Sequence, residues 1–195
     1  MLSNSICAII FLSSTLLHAE EKPLQGGRSP DGSFEVRVAS QDSLKGYKLY
    51  IRAVKPDKPL FMLPNIGGYL NFVSALERDH AYWHSSSRFV AVTDQGTRHS
   101  RELYIVSVLG KEPTILEQPD FYQNALGQVG AVETDFASIV TPQKWDGDDL
   151  ILQLYFTANQ RRSYTFEIVL RLSHGQNMAP RLSLKQVKLL KEDEG

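Results

Sequence analysis

The chain has 195 residues, 42% of them hydrophobic and 22% charged, a composition that fits a globular protein and excludes wholesale disorder. Its 21 Lys and Arg against 22 Asp and Glu leave a net charge of −1, so the basic excess of a nucleic-acid binder is missing. A single cysteine, Cys7, excludes any intramolecular disulfide framework.

The first element is an apolar run from Ile6 to Leu17, followed by Leu17-His18-Ala19 and the charged Glu20-Glu21-Lys22. That order is the apolar core and small-residue cleavage site of a secretory signal, and it predicts a signal peptide over 1–19 with a single all-β domain over 20–195. The run is shorter than the roughly 20 apolar residues of a membrane span, so no stable span is expected after cleavage; retention as an uncleaved anchor is the alternative. Cys7 leaves with the signal, and a domain without cysteine has neither thiol catalysis nor a cysteine zinc site. An exported, cysteine-free domain of this size points to a bacterial periplasm or to secretion. Such a chain buries about 70% of its unfolded surface and needs no staple to fold.

Beyond the signal, short β-branched and aromatic runs recur and no helical periodicity is sustained. Phe34 to Val38 alternates strictly, which predicts a half-exposed strand with Phe34, Val36 and Val38 on one face. Tyr47 to Ile51 follows after a short polar connection. Leu60 to Leu63 is a further strand. Arg88 to Thr93 is apolar on both faces and predicts an interior strand, paired with Glu102 to Val106. Thr114 to Glu117 is next, then one helical turn at Asp120 to Leu126, then a strand at Phe136 to Val140. Leu150 to Phe156, again apolar on both faces, is expected to be covered on both sides and paired with Tyr164 to Val169; Arg181 to Leu190 ends the series. Connections this short favour antiparallel hairpins.

Three of these hairpins can be superposed, over about 28–54, 83–108 and 145–172. Ser29-Pro30-Asp31-Gly32-Ser33-Phe34 aligns with His84-Ser85-Ser86-Ser87-Arg88-Phe89, Leu49 to Ile51 with Leu103 to Ile105, and Trp145 with Trp83, while Asp146-Gly147-Asp148-Asp149 replaces the motif in the third copy. The first copy resembles the Ser-Pro-Asp-Gly blade of periplasmic β-propellers, as in the Tol-system propeller and the propellers of prolyl oligopeptidases. The resemblance implies an architecture of blades and says nothing about activity, because Pro and Gly set a turn and Asp bonds its own backbone before the strand begins. Propellers close with four to eight blades and this chain offers three. The expected fold is therefore all-β, made of antiparallel hairpins, either as an open or incomplete propeller-like blade stack or as a β-sandwich or barrel.

Chemistry is sparse. His80 and His84 stand four apart beside Asp79, a spacing that serves metal on a helix, yet here it leads into a strand and lacks a third ligand in sequence. No metal and no cofactor is expected. Asp146, Asp148 and Asp149 lack the distal acidic residue of a calcium loop. No Gly-x-Ser-x-Gly elbow occurs, and Gly67-Gly68 and Gly127 to Gly130 do not join a strand to a helix as phosphate loops do. Two long connections carry more: Lys55 to Glu77, with Tyr69 and Phe72, and Glu117 to Asp135, with Phe121 and Tyr122. Loops of such length tend to be functional, so Tyr69, Phe72, Phe121 and Tyr122 are the candidate ligand-binding residues. The sequence thus predicts a non-catalytic exported binding or scaffolding module of the bacterial envelope, with a protein or glycan partner. The alternatives are a metal-assisted hydrolase using Asp79, His80 and His84, and a blade fragment that completes a propeller with another chain.

Overall fold

A computed structural model describes residues 20–40, 47–64, 72–94, 100–134, 137–159, 162–175 and 178–193. The strands fall into three antiparallel groups of four, each a meander in chain order. The first contains β1 (Glu21–Arg28), β2 (Phe34–Ser40), β3 (Tyr47–Ala53) and β4 (Lys58–Met62). After the short helix α1 (Phe72–Arg78) come β5 (Ala81–Trp83), β6 (Phe89–Asp94), β7 (Ser100–Ser107) and β8 (Thr114–Ile115). Helix α2 (Phe121–Gln128) leads to β9 (Ser138–Asp146), β10 (Asp149–Ala158), β11 (Arg162–Gly175) and β12 (Met178–Asp193). A two-residue parallel contact, Ser100 to Ser138 and Arg101 to Ile139, joins the second and third groups at one corner. The fold is all-β, with open sheets.

Side-chain alternation explains the stacking. In the middle sheet, Val90, Val92, Tyr104 and Val106 face the first sheet and meet Val36, Val38, Leu49 and Ile51. Phe89, Ala91, Leu103 and Ile105 face the third, against Leu150, Leu152, Leu154, Phe156, Phe166, Ile168 and Leu170. Strand β6 is buried along its whole length, as its apolar pattern predicts. Each Val, Leu, Ile or Phe so enclosed contributes about 1.5–3 kcal/mol relative to an exposed one.

Several expectations change. Strand β10 is covered on one side only: Leu150, Leu152, Leu154 and Phe156 are buried, while Gln153 is exposed and Ile151 and Tyr155 are half-buried on the outer face. Strand β1 went unpredicted because Pro23, Gly26 and Gly27 read as turn residues. Their reason is steric: a Cβ on Gly26, at φ 68°, would lie 2.3 Å from the Ala81 carbonyl oxygen, so glycine there lets β1 and β5 touch backbone to backbone. Strand β9 extends through Pro142 to Asp146, where a register shift opposite Ile151 and Leu152 accommodates the proline. Helix α1, in a stretch expected to be loop, has seven residues, too short for a periodic signature. Helix α2 lies where a helical turn is predicted, capped by Asp120, whose carboxylate accepts from the Gln123 N–H at 2.9 Å.

Candidate functional site

The three turns aligned in the sequence lie side by side at one end of the stack. In the first, the Ser29 N–H donates to the Phe34 carbonyl, the Gly32 N–H donates to the Ser29 carbonyl, and Asp31 Oδ1 accepts from the Ser33 N–H and the Ser29 hydroxyl. Those two donors hold the Asp31 carboxyl below its ordinary value. The second turn repeats the pattern with other residues. His84 N–H donates to the Phe89 carbonyl, Ser87 N–H to the His84 carbonyl, and Ser86 Oγ takes the place of the Asp31 carboxylate by accepting from Arg88 N–H at 3.4 Å. Gly32 at φ 72° and Ser87 at φ 60° occupy the same left-handed position. The Asp31 N–H donates to Ser87 Oγ at 3.0 Å, tying the first turn to the second.

The same end carries a second kind of joint. Trp83 Nε1 donates to the Gly27 carbonyl at 2.7 Å, and Trp145 Nε1 donates to the Tyr82 carbonyl at 2.9 Å. Each indole reaches from the first strand of one sheet to the backbone of the first strand of the sheet before it.

Asp79, His80 and His84 do not converge. Asp79 is fully buried, with Asp94 2% exposed, and the Tyr47 hydroxyl lies 2.7 Å from Asp79 Oδ2 and 2.6 Å from Asp94 Oδ1. Burial and these two carboxylates push the Tyr47 phenol far above its ordinary value, so it stays protonated as a structural donor. His80 Nδ1 instead faces the Arg78 carbonyl at 3.1 Å. His84 turns toward the third sheet: its Nε2 lies 3.3 Å from Asp148 Oδ1, which also stands 3.1 Å from His174 Nε2. Its Nδ1 is 2.7 Å from Ser86 Oγ and 3.2 Å from the Ser86 backbone N–H. A neutral His84 that accepts both bonds at Nδ1 carries its proton on Nε2, whereas a histidine ligating through Nε2 donates from its other nitrogen. Among the described residues no group of three His, Cys, Asp or Glu is arranged to hold a metal ion.

Of the aromatic candidates, Phe121 is buried and Tyr122 half-buried in the second core, with the Tyr122 ring 5.9 Å from that of Phe156. Both anchor α2 to the third sheet. Phe72 opens α1, and Tyr69 lies outside the described residues. The open space is elsewhere. A groove of about 510 Å³ runs between Glu117, Gln118 and Pro119 on one side and Ala179 to Leu182 on the other. A second, of about 420 Å³, lies on the outer face of the first sheet and escaped the sequence reading.

That second groove follows from the register. Glu21, Ala39 and Lys48 form one cross-strand row, and Arg37, Tyr50 and Met62 the next. The small Ala39 between longer neighbours leaves the hollow. Tyr50 is 8% exposed and its hydroxyl has no hydrogen-bond partner within bonding geometry; Arg37 Nε, on the residue directly opposite, is likewise buried and unpartnered. The Glu21 carboxylate hovers over both, 3.9 Å from Arg37 Nε and 3.4 Å from Arg52 Nη1. Burial, then Glu21, raises the Tyr50 phenol to about 12. Arg37 is held in place by Glu35 at 2.7 Å and by the Glu21 carbonyl at 3.0 Å, Arg52 by Asp57. Met62, at 55% exposure, forms an apolar lip.

Comparison of the chain with protein families, with characterised proteins and with solved structures finds no match.

Proposed function

We infer that the chain is a non-catalytic, exported binding module of the bacterial envelope, a stack of three blade-like sheets whose outer surfaces meet a partner. One observation carries this reading. Side chains with catalytic potential are committed to structure: the Tyr47 hydroxyl meets Asp79 and Asp94 in the core, and His84 is held by its own turn. The hollows, by contrast, lie on a sheet face and beside a sheet edge. Export rests on the apolar run and the cleavage site that the sequence predicts, and the fold is compatible with cleavage there. The Ser40 N–H donates to the Glu20 carbonyl at 2.8 Å, directly after the cleavage site expected at Ala19, so cleavage there leaves β1 whole. No helix among the described residues is long and apolar enough to cross a membrane.

The end faces of the stack bear on the blade-fragment alternative. Inner faces are Val, Leu, Ile and Phe, whereas the outer face of the first sheet carries Glu35, Arg37, Lys48 and Arg52, and that of the third carries Asp149, Gln153, Glu167 and Arg171. Polar outer faces are what terminal repeats of a stack use to stay in water.

Two measurements on the protein in its native host test the proposal. The intact mass is expected to lack residues 1–19, in an envelope fraction. Photo-crosslinkers at exposed Met62, Gln153 and Lys188 are expected to give a discrete adduct from at least one position. An intact Met1 in the cytoplasm, with no adduct from any position, overturns the reading.

A further inference from the structure

We propose that the groove on the outer face of the first sheet is a carboxylate-recognition site, and that it takes a Glu or Asp side chain of an extended acidic peptide, with the Glu21 carboxylate as its built-in placeholder. The inference rests on the binding-module reading and names the partner chemistry of one face.

The argument begins with unmet donors. Arg37 Nε and the Tyr50 hydroxyl are buried cross-strand neighbours, and the one acceptor near them, the Glu21 carboxylate, satisfies neither in full bonding geometry. Leaving even one such group unpaired is costly, and two adjacent ones are rare in a native fold. Both can donate, and Arg52 Nη1 stands at the same place, so the missing group is an oxyanion. Glu21 supplies one imperfectly: its 3.4 and 3.9 Å approaches fall outside the 2.7–2.9 Å range of charge-assisted hydrogen bonds. Its side chain is 41% exposed and sits in the second residue after the expected cleavage point, at the end of β1, where displacement disturbs little else.

The surroundings distinguish a peptide from a small free acid. Met62 and Pro59 are exposed beside the donors, and half-buried Leu60 lies with them along β4, which among the described residues pairs only with β3. An extended segment laid along that edge places alternate side chains over the sheet face, one carboxylate at the arginines and one apolar residue at Met62.

The test is fluorescence anisotropy with the full mature chain and a short labelled peptide in which Glu alternates with Leu, beside a Lys-for-Glu version and with acetate as competitor. Saturable binding of the acidic peptide is expected, with none for the Lys version and no displacement by millimolar acetate. Glu21→Gln is expected to tighten binding about threefold by removing the competing negative charge, and Arg52→Gln to weaken it about tenfold. Because Arg52→Gln perturbs an ion-pair network, Met62→Ser, at an exposed position, is the second probe and is expected to weaken binding without lowering the melting temperature. Equal binding of both peptides, weaker binding by Glu21→Gln, or full displacement by acetate overturns the proposal. No binding by either the parent or Glu21→Gln overturns it too. If crosslinks from Gln153 or Lys188 persist in cells in that case, the module reading stands and only this site falls.

Discussion

Between the first and second sheets the core is built from Val36, Val38, Leu49, Ile51, Val90, Val92 and Val106, and it encloses Tyr47 with two buried aspartates. Between the second and third it is larger and aromatic: Phe156 stacks on Phe166 at 5.6 Å and meets Tyr164 and Tyr122 at 5.6 and 5.9 Å. The second interface is held by volume, which is insensitive to orientation. The first is narrower and includes a hydrogen-bonded cluster that fixes one register, because Tyr47 reaches both aspartates from only one place. One sheet pair is thus stabilised by quantity of apolar surface, the other is specified by geometry.

The largest effect is expected where volume dominates. Phe166→Ala should destabilise by about 3–5 kcal/mol, the range for an aromatic cavity that neighbours cannot fill; denaturant melts measure it, and a loss under 1 kcal/mol would mean that the second core is loosely packed. Tyr47→Phe removes one oxygen and almost no volume. It should still cost about 2–3 kcal/mol, since two buried carboxylates lose a donor. If the melt is unchanged, the cluster specifies nothing and the contrast between the interfaces fails.

The joints that both interfaces share should respond less and alike. Trp83→Phe and Trp145→Phe each forfeit one indole hydrogen bond, with an expected cost of about 1 kcal/mol beyond any packing change. A cost confined to one of them would show that the two joints are unequal. In the first turn, Asp31→Ala should cost about 1 kcal/mol, and Gly32→Val more, because a β-branched residue is strained at φ 72°. The smallest effect belongs to the third sheet's outer face. There Arg171, then Lys185, lowers the Asp149 carboxyl from 3.8 to about 2. A carboxyl depressed in the folded state stabilises above its unfolded value and loses that contribution as pH falls toward 2. Melts of the parent and Asp149→Asn should therefore differ at neutral pH and converge near pH 2.

The sequence exposed those features whose cause is local. Alternation at Phe34 to Val38 and unbroken apolarity at Phe89 to Val92 report one covered face and two, and both strands are found so. The same reading misjudged β10, because Ile151 and Tyr155 look like core residues although they are half-buried by their own sheet neighbours on an outer face. Distance in the chain hid the rest. Tyr47 is 32 and 47 residues from its two aspartates, and no spacing rule connects them. The groove over Ala39 arises from cross-strand register, which a one-residue slip would erase. His80 and His84, conspicuous as a pair in sequence, stand at opposite ends of β5, where four residues of extended chain span about 13 Å and a helix would bring them one turn apart.

The indole joints have a consequence for information. The chain has two tryptophans, and each donates to a backbone carbonyl, of Gly27 in one case and Tyr82 in the other. A carbonyl is carried by every residue, so the receiving half of the joint places no demand on side-chain identity, and a glycine and a tyrosine serve equally. The donating half has no such freedom, since among the common side chains only indole combines that reach with a single N–H. All the sequence specificity of the contact is therefore written on one side. A reader comparing copies finds a signal at the donor and noise at the acceptor, even where the bond is the same.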